Sequence, residues 1–175
     1  MLRKIGVISI LIWACDPAWA HAGDLCAVRN LAQLDSESRS ICEHGAEWIK
    51  RFKDRDLDAL MKLYVEDAVV ALHGQKMLEG RDSVKNYFAK SMAAVKSVEF
   101  ELAVERIEIH GDVAHLLSKY WFTSTQPDGR VIQDAGRSLL IYKKDRSEKG
   151  PGRWKIAFDI DQNSPDITFP APSAR

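Results

Sequence analysis

The chain has 175 residues, and its 25 lysines and arginines balance 25 aspartates and glutamates, so the formal net charge is zero at pH 7. This length corresponds to about one domain. The charges form neither a basic stripe nor a block of one sign, which argues against a nucleic-acid or anionic-membrane partner.

The N-terminus predicts an export signal. Two basic residues precede an apolar run over residues 5–14, and this run is shorter than the roughly 20 residues that a membrane-spanning helix needs. Ala18 and Ala20 supply the small residues that precede a signal-peptidase site. We therefore expect residues 1–20 to be a signal peptide. The mature chain then begins at His21, is periplasmic or secreted, and has no transmembrane segment.

The cysteines carry two further expectations. Cys15 lies in a segment similar to a bacterial lipoprotein site, so lipid attachment at Cys15 is an alternative to cleavage after Ala20. Cleavage leaves Cys26 and Cys42, an even pair in an oxidising compartment. We expect them to form a disulfide that closes a loop of about 15 residues, the alternative being two unpaired thiols.

Helical spacing dominates the first half of the mature chain. After an N-terminal arm (residues 21–37), apolar residues recur three and four positions apart from Ser38 to Lys53, and again from Leu57 to Val65. Asp56 is placed to cap the second of these helices. Residues 68–80 predict a short hairpin, and residues 81–95 predict a third helix.

The second half has the period of β-strands. Residues 97–144 hold three long alternating stretches, joined by turns at residues 110–112 and 127–129, and residues 153–161 form a final strand. The sequence thus predicts an α+β domain over residues 38–164, in which three helices pack on one face of a strongly curved antiparallel sheet. Such a sheet forms a cone with a pocket at its mouth. The tail, residues 165–175, is expected to be flexible.

Three strings resemble the NTF2-like superfamily, specifically its SnoaL-like and DUF4440 branches. They are "RDLDALMKLYVEDAVV", "LEGRDSVKNYFA" and "GRWKIAFDIDQNS". The resemblance covers residues 41–164 and implies the cone-shaped fold. It does not imply one function, because the superfamily includes isomerases, dehydratases, cyclases, carriers and oligomerisation modules.

The resemblance argues against steroid-isomerase chemistry. Ketosteroid isomerase uses an aspartate base, with a tyrosine and a protonated aspartate as oxyanion donors. Aligning that enzyme on "LYVEDAVVALHG" places its base at Leu72 and its oxyanion tyrosine at Trp48. Leucine cannot accept a proton, and an indole is a far weaker acid than a phenol.

Two classes of function stay open. The missing base favours an exported domain that binds a small organic ligand without reaction. The alternative is a SnoaL-like enzyme (isomerase, dehydratase or cyclase) that uses acid/base catalysis on such a molecule. The histidines lack the helical spacing of a zinc site, and the chain has no glycine-rich phosphate loop, so we expect neither a metal nor a cofactor.

Strand parity and the resemblance select the expected pocket residues. Asp159 and Asp161 share one face of the last strand, which the resemblance turns inward; the alternative is a structural role, such as an Asp159–Arg137 pair. His73 is expected to point away from Leu72, as a surface residue. The predicted ligand-binding set is Trp48, Tyr64, Leu72, Tyr87, Leu117, Lys119, Trp121, Asp159 and Asp161.

The other face of the last strand predicts self-association. Trp154, Ile156, Phe158 and Ile160 alternate with the aspartates. Facing outward, they would form an apolar patch that monomers rarely expose. Many members of the superfamily pair through this sheet face, and we expect a homodimer.

Overall fold

The computed structural model describes residues 26–147 and 153–171. Residues 1–25, to which the predictions of a signal peptide, of cleavage after Ala20 and of the alternative lipid attachment at Cys15 refer, lie outside the described residues. Among the helices that are described, none is long and apolar enough to cross a membrane.

The described helices are α1 (Val28–Leu31), α2 (Ser36–Asp54), α3 (Leu57–Met61) and α4 (Arg81–Ala93). The Asp35 side chain caps α2 by accepting hydrogen bonds from two backbone amides of its first turn. Asp56 accepts from the Ala59 amide at 3.1 Å, which confirms the expected cap of α3. The expected extent of this helix is wrong, because α3 ends at Met61 and the chain then enters a strand.

The described strands are β1 (Tyr64–Ala71), β2 (Leu78–Glu79), β3 (Ser97–His110), β4 (Val113–Thr125), β5 (Val131–Lys144) and β6 (Trp154–Asn163). They form one open sheet in the order β2-β1-β6-β5-β4-β3. Four neighbouring pairs are antiparallel, as expected, but β1 and β6 are parallel. No hairpin turn joins these two strands, so local sequence did not fix their relative direction.

Helices α2, α3 and α4 cover one face of this mixed sheet. The α+β class predicted from the sequence is therefore confirmed. Ile41 of α2, Leu60 of α3 and Val84 of α4 are fully buried against Val70 and Ile156 of the sheet. We call this covered side the inner face and the opposite side the outer face.

A bulge in β6 changes which of its residues are buried. Tyr142 of β5 pairs with Ile156, whereas the preceding Ile141 pairs with Phe158, so Ala157 is an extra residue. Trp154 and Ile156 are therefore fully buried, while Phe158 and Ile160 are 37% and 42% exposed. The expectation that these four alternating residues share one face is wrong, because the bulge reverses the parity of the strand. After the bulge, Asp159 is on the inner face.

The C-terminal segment packs on the outer face instead of lying loose over its described length. Ile167 is buried, and the Trp121 indole N–H donates to the Thr168 carbonyl at 2.9 Å. Arg137 binds the Asp166 carboxylate through two contacts of 2.8 Å. These contacts anchor residues 164–168 to β4 and β5.

The expected cysteine pairing agrees with the structure. The sulfur atoms of Cys26 and Cys42 are bonded, with their Cα atoms 5.3 Å apart. The bond ties the segment before α1 to the buried side of α2.

Candidate functional site

A cavity of about 280 Å³ lies between the helices and the inner face of the sheet. This volume is near the lower end of the range for small-molecule sites. Apolar and aromatic side chains form most of its wall. They are Trp48, Phe52, Leu72, Tyr87, Phe88, Phe100, Leu102, Phe122 and Leu140.

One wall is a cluster of aromatic rings. Trp48 stacks on Phe52, with ring centroids 5.0 Å apart and planes 9° apart. Phe100 of β3 lies 5.4 Å from the Trp48 ring, and Phe88 of α4 packs edge-on against Phe52. Such a wall presents flat apolar faces that suit a ring or a planar conjugated ligand.

Asp159 provides a buried carboxyl group in this cavity. The Tyr64 hydroxyl donates to its Oδ2 at 3.3 Å, and the Trp48 indole N–H donates to that hydroxyl at 2.8 Å. Burial, followed by the charge of Asp161, raises the pKa of Asp159 to about 7, while the Tyr64 hydrogen bond acts in the opposite direction. A carboxyl group with a pKa near neutrality can both accept and give a proton.

His73 is held between two other carboxylates. Its backbone N–H and its ring Nδ1 lie 2.6 Å and 3.0 Å from Asp161 Oδ1, and its Nε2 lies 3.3 Å from Asp134 Oδ2. A protonated ring donates from both nitrogens, whereas a neutral ring keeps one nitrogen that can accept a proton. Asp161 thus has the backbone N–H and the ring of His73 as its hydrogen-bond partners.

Three hydroxyl groups, those of Tyr120, Ser118 and Tyr142, add to the polar lining. The Tyr120 hydroxyl donates to Asp134 at 3.3 Å and is 3.4 Å from His73 Nδ1. Burial, together with the nearby carboxylates, raises the pKa of Tyr120, so its hydroxyl stays a hydrogen-bond donor. Ser118 Oγ and Tyr142 OH are buried and have no hydrogen-bond partner among the described residues. Both residues line the cavity, where a bound polar group would satisfy them.

The structure brings together most of the expected residues. Trp48, Leu72, Tyr87, Asp159 and Asp161 line the cavity. Tyr64 is fully buried behind the cavity wall, and its hydroxyl is hydrogen-bonded to two residues of that wall, Trp48 and Asp159.

The prediction that the pocket includes Leu117, Lys119 and Trp121 is wrong. They lie on the outer face, because the alternate residues of β4, including Ser118 and Tyr120, face the cavity. Lys119 pairs with Glu105 at 3.2 Å. Trp121 is buried under the C-terminal segment rather than in the pocket.

The predicted set did not include three polar residues that line the cavity: His73, Tyr120 and Asp134. β1 ends at Ala71, so strand alternation no longer separates His73 from Leu72, and both line the cavity. If the even-numbered residues of β4 had been taken as inward-facing, the sequence would have predicted Tyr120 as a cavity residue. Asp134 could have been found because it is a lone acidic residue within a strand of alternating pattern.

The fold and this lined cavity define an NTF2-like α+β domain. Residues 41–157 match the family model of the SnoaL-like domain, and the chain belongs to that family. No curated protein matches the chain significantly.

Solved structures show the same fold. A conserved protein from Planctomyces limnophilus is 20% identical, with a TM-score of 0.65 over 71% of this chain and 93% of its own. A ketosteroid isomerase-like protein from Erwinia carotovora is also 20% identical, with a TM-score of 0.65 over 75% of this chain and all of its own. An NTF2-like superfamily protein from Salmonella enterica is 15% identical, with a TM-score of 0.62 over 75% of this chain and 89% of its own.

Proposed function

We propose that the cavity binds a small, mainly apolar organic molecule with a carbonyl or hydroxyl group, and that Asp159 and His73 exchange protons with it as general acid and base. The observation that carries this proposal is the buried Asp159 carboxyl in the cavity wall. A buried ionisable group beside a second carboxylate destabilises a fold, and such groups concentrate at functional sites. This favours the enzyme alternative over binding alone.

The lining divides the roles. Asp159 lines the cavity, where it would take a proton from the ligand or return one. His73, held in place by Asp161 and Asp134, would handle the second proton transfer. Ser118 and Tyr142, whose buried hydroxyls have no partner among the described residues, would donate hydrogen bonds to the ligand oxygen. Proton transfers of this kind serve isomerisation, dehydration or cyclisation without a redox cofactor.

Steroid-isomerase activity is not part of this proposal. The base of that enzyme corresponds to Leu72 in the sequence alignment, and Leu72 provides only an apolar surface.

The test is deuterium exchange at the α-carbons of small cyclic ketones in D₂O, followed by NMR, with a Δ5-3-ketosteroid included in the series. Wild-type protein should accelerate exchange of at least one ketone. Asp159→Asn should lose the acceleration by about 10²-fold or more, while Lys119→Ala, on the outer face, should keep it. Saturable binding without exchange would instead support a binding domain.

We also propose that the protein is exported and forms a homodimer. The N-terminal signal features and the Cys26–Cys42 bond support export to an oxidising compartment. For the dimer, the supporting feature is an apolar patch on the outer face, in which strand register places the members side by side. The patch consists of Leu117, Leu139, Ile141, Phe158 and Ile160.

A further inference from the structure

A second cluster of ligating side chains lies outside the cavity, at the end of the β3–β4 hairpin. Glu108 and His110 are two positions apart on β3 and so share a face. His115 on β4 is the direct register partner of Glu108. One ligand atom from each of the three residues lies within 4.8 Å of the other two. The imidazole rings are 5.9 Å apart, and His110 Nε2 is 3.8 Å from Glu108 Oε2.

We propose that Glu108, His110 and His115 bind a divalent first-row transition-metal ion such as Zn²⁺. Two imidazoles and one carboxylate form a donor set that suits these ions. Bonds of about 2.0–2.2 Å require ligand atoms roughly 3–3.5 Å apart. The ligand atoms, now within 4.8 Å of one another, would move closer on binding. His110 is exposed and the other two residues are half-buried.

Arg106 prepares the carboxylate for this role. Its Nη2 lies 2.5 Å from Glu108 Oε1, which leaves Oε2 directed at His110. Carboxylate ligands are commonly held by an outer partner in this manner. Three protein ligands leave at least one coordination position for water.

The hairpin geometry explains why sequence spacing gave no metal site. His110 and His115 are five positions apart, which no regular helix places on one face. Gly111 adopts φ 63° in the turn, where a side chain is disfavoured, and the chain folds back so that the two rings meet. A bound ion would join β3, at the edge of the sheet, to β4. This proposal is independent of the reaction proposed for the cavity.

The experiment uses the mature protein without any affinity tag. Calorimetric titration with Zn²⁺ should give one site, and Co²⁺ should give a visible d–d absorption band that Zn²⁺ abolishes. His110→Ala and His115→Ala should each weaken Zn²⁺ binding at least about tenfold. Glu101→Gln, which removes an exposed acid from the same strand, should bind Zn²⁺ like wild type.

Thermal unfolding without metal should be similar for the four proteins, and added Zn²⁺ should raise the melting temperature of wild type and Glu101→Gln only. Glu108→Gln provides a second, milder variant if a histidine variant fails to fold. The proposal is overturned if wild type shows no saturable Zn²⁺ binding. It is also overturned if binding survives in His110→Ala and His115→Ala, since the ion then lies elsewhere, for example beside His73.

Discussion

The Tyr64 hydroxyl and the Asp159 carboxyl meet at 3.3 Å although the residues are 95 positions apart. Their contact joins the first strand to the last at the wall of the cavity. The hydrogen bond favours the ionised carboxylate, but burial disfavours it more, and the pKa of Asp159 is raised to about 7. This balance makes the unfolding free energy depend on pH, and it makes the pKa of Asp159 depend on the Tyr64 hydroxyl.

Replacing Asp159 with Asn should stabilise the protein at pH 8 but not at pH 4. The folded state holds a proton on Asp159 up to a pKa of about 7, compared with 3.8 for the reference carboxyl. Wild type therefore loses stability as pH rises from about 4 to about 7, by a few kcal/mol in order of magnitude. Urea unfolding at several pH values measures the difference. Asp67→Asn, at an exposed site on β1, controls for the lost charge, and a pH-independent difference for Asp159→Asn would contradict the prediction.

Tyr64→Phe should raise the pKa of Asp159 above that of wild type. The variant removes the donor that stabilises the carboxylate and leaves the burial unchanged. Carboxyl ¹³C NMR titration measures this pKa directly. Tyr87→Phe, which changes another tyrosine of the cavity wall, should leave the Asp159 titration in place. An unchanged or lower value in Tyr64→Phe would show that the hydroxyl does not act on Asp159.

Gly136→Ala should destabilise the fold by about 2–3 kcal/mol. A Cβ atom on Gly136 of β5 would overlap the Gln162 carbonyl of β6, and backbone cannot move aside as a flexible side chain can. Gly45→Ala is the matched control, because no atom lies within 4 Å of its Cβ position in α2. That control should gain about 0.5–1 kcal/mol from higher helix propensity. Equal unfolding midpoints in denaturant for the two variants would refute this account.

Replacing both Cys26 and Cys42 with serine should lower the unfolding free energy by about 3 kcal/mol. The bond closes a loop with a sequence separation of 16, and its loss frees the unfolded chain. Urea titration of wild type with and without dithiothreitol should show the same loss, whereas the double variant should not respond to the reductant. A double variant as stable as oxidised wild type would mean that the bond contributes little.

Phe158→Glu should dissociate the proposed homodimer without unfolding the subunit. Phe158 is a 37% exposed member of the outer-face patch, and a carboxylate there would be desolvated by a second copy. Light scattering at micromolar concentration measures the mass. Met77→Glu, another exposed apolar site but on the loop before β2, should leave the mass unchanged. A wild-type monomer under these conditions would remove the basis of the proposal.

Local sequence determined the order of the longer elements, although it missed the short helix α1 and the start of β1 at Tyr64. Apolar spacing located the helices, and glycine-containing turns located the β3–β4 and β4–β5 hairpins, because period and turn chemistry act between near neighbours. The family followed from strings that span α3 to β1, β2 to α4, and β6. The aspartates of β6 were also selected correctly as cavity-lining residues, although the reasoning assumed a regular strand.

Tertiary structure decided which side chains meet. The bulge at Ala157 reverses the parity of β6, the end of β1 at Ala71 turns His73 into the cavity, and the C-terminal segment buries Trp121 on the outer face. Each of these depends on pairing or packing with a segment distant in sequence. Because a one-residue change of register moves a whole strand face, the acid/base cluster and the Glu108–His110–His115 cluster became visible only once the strands were paired.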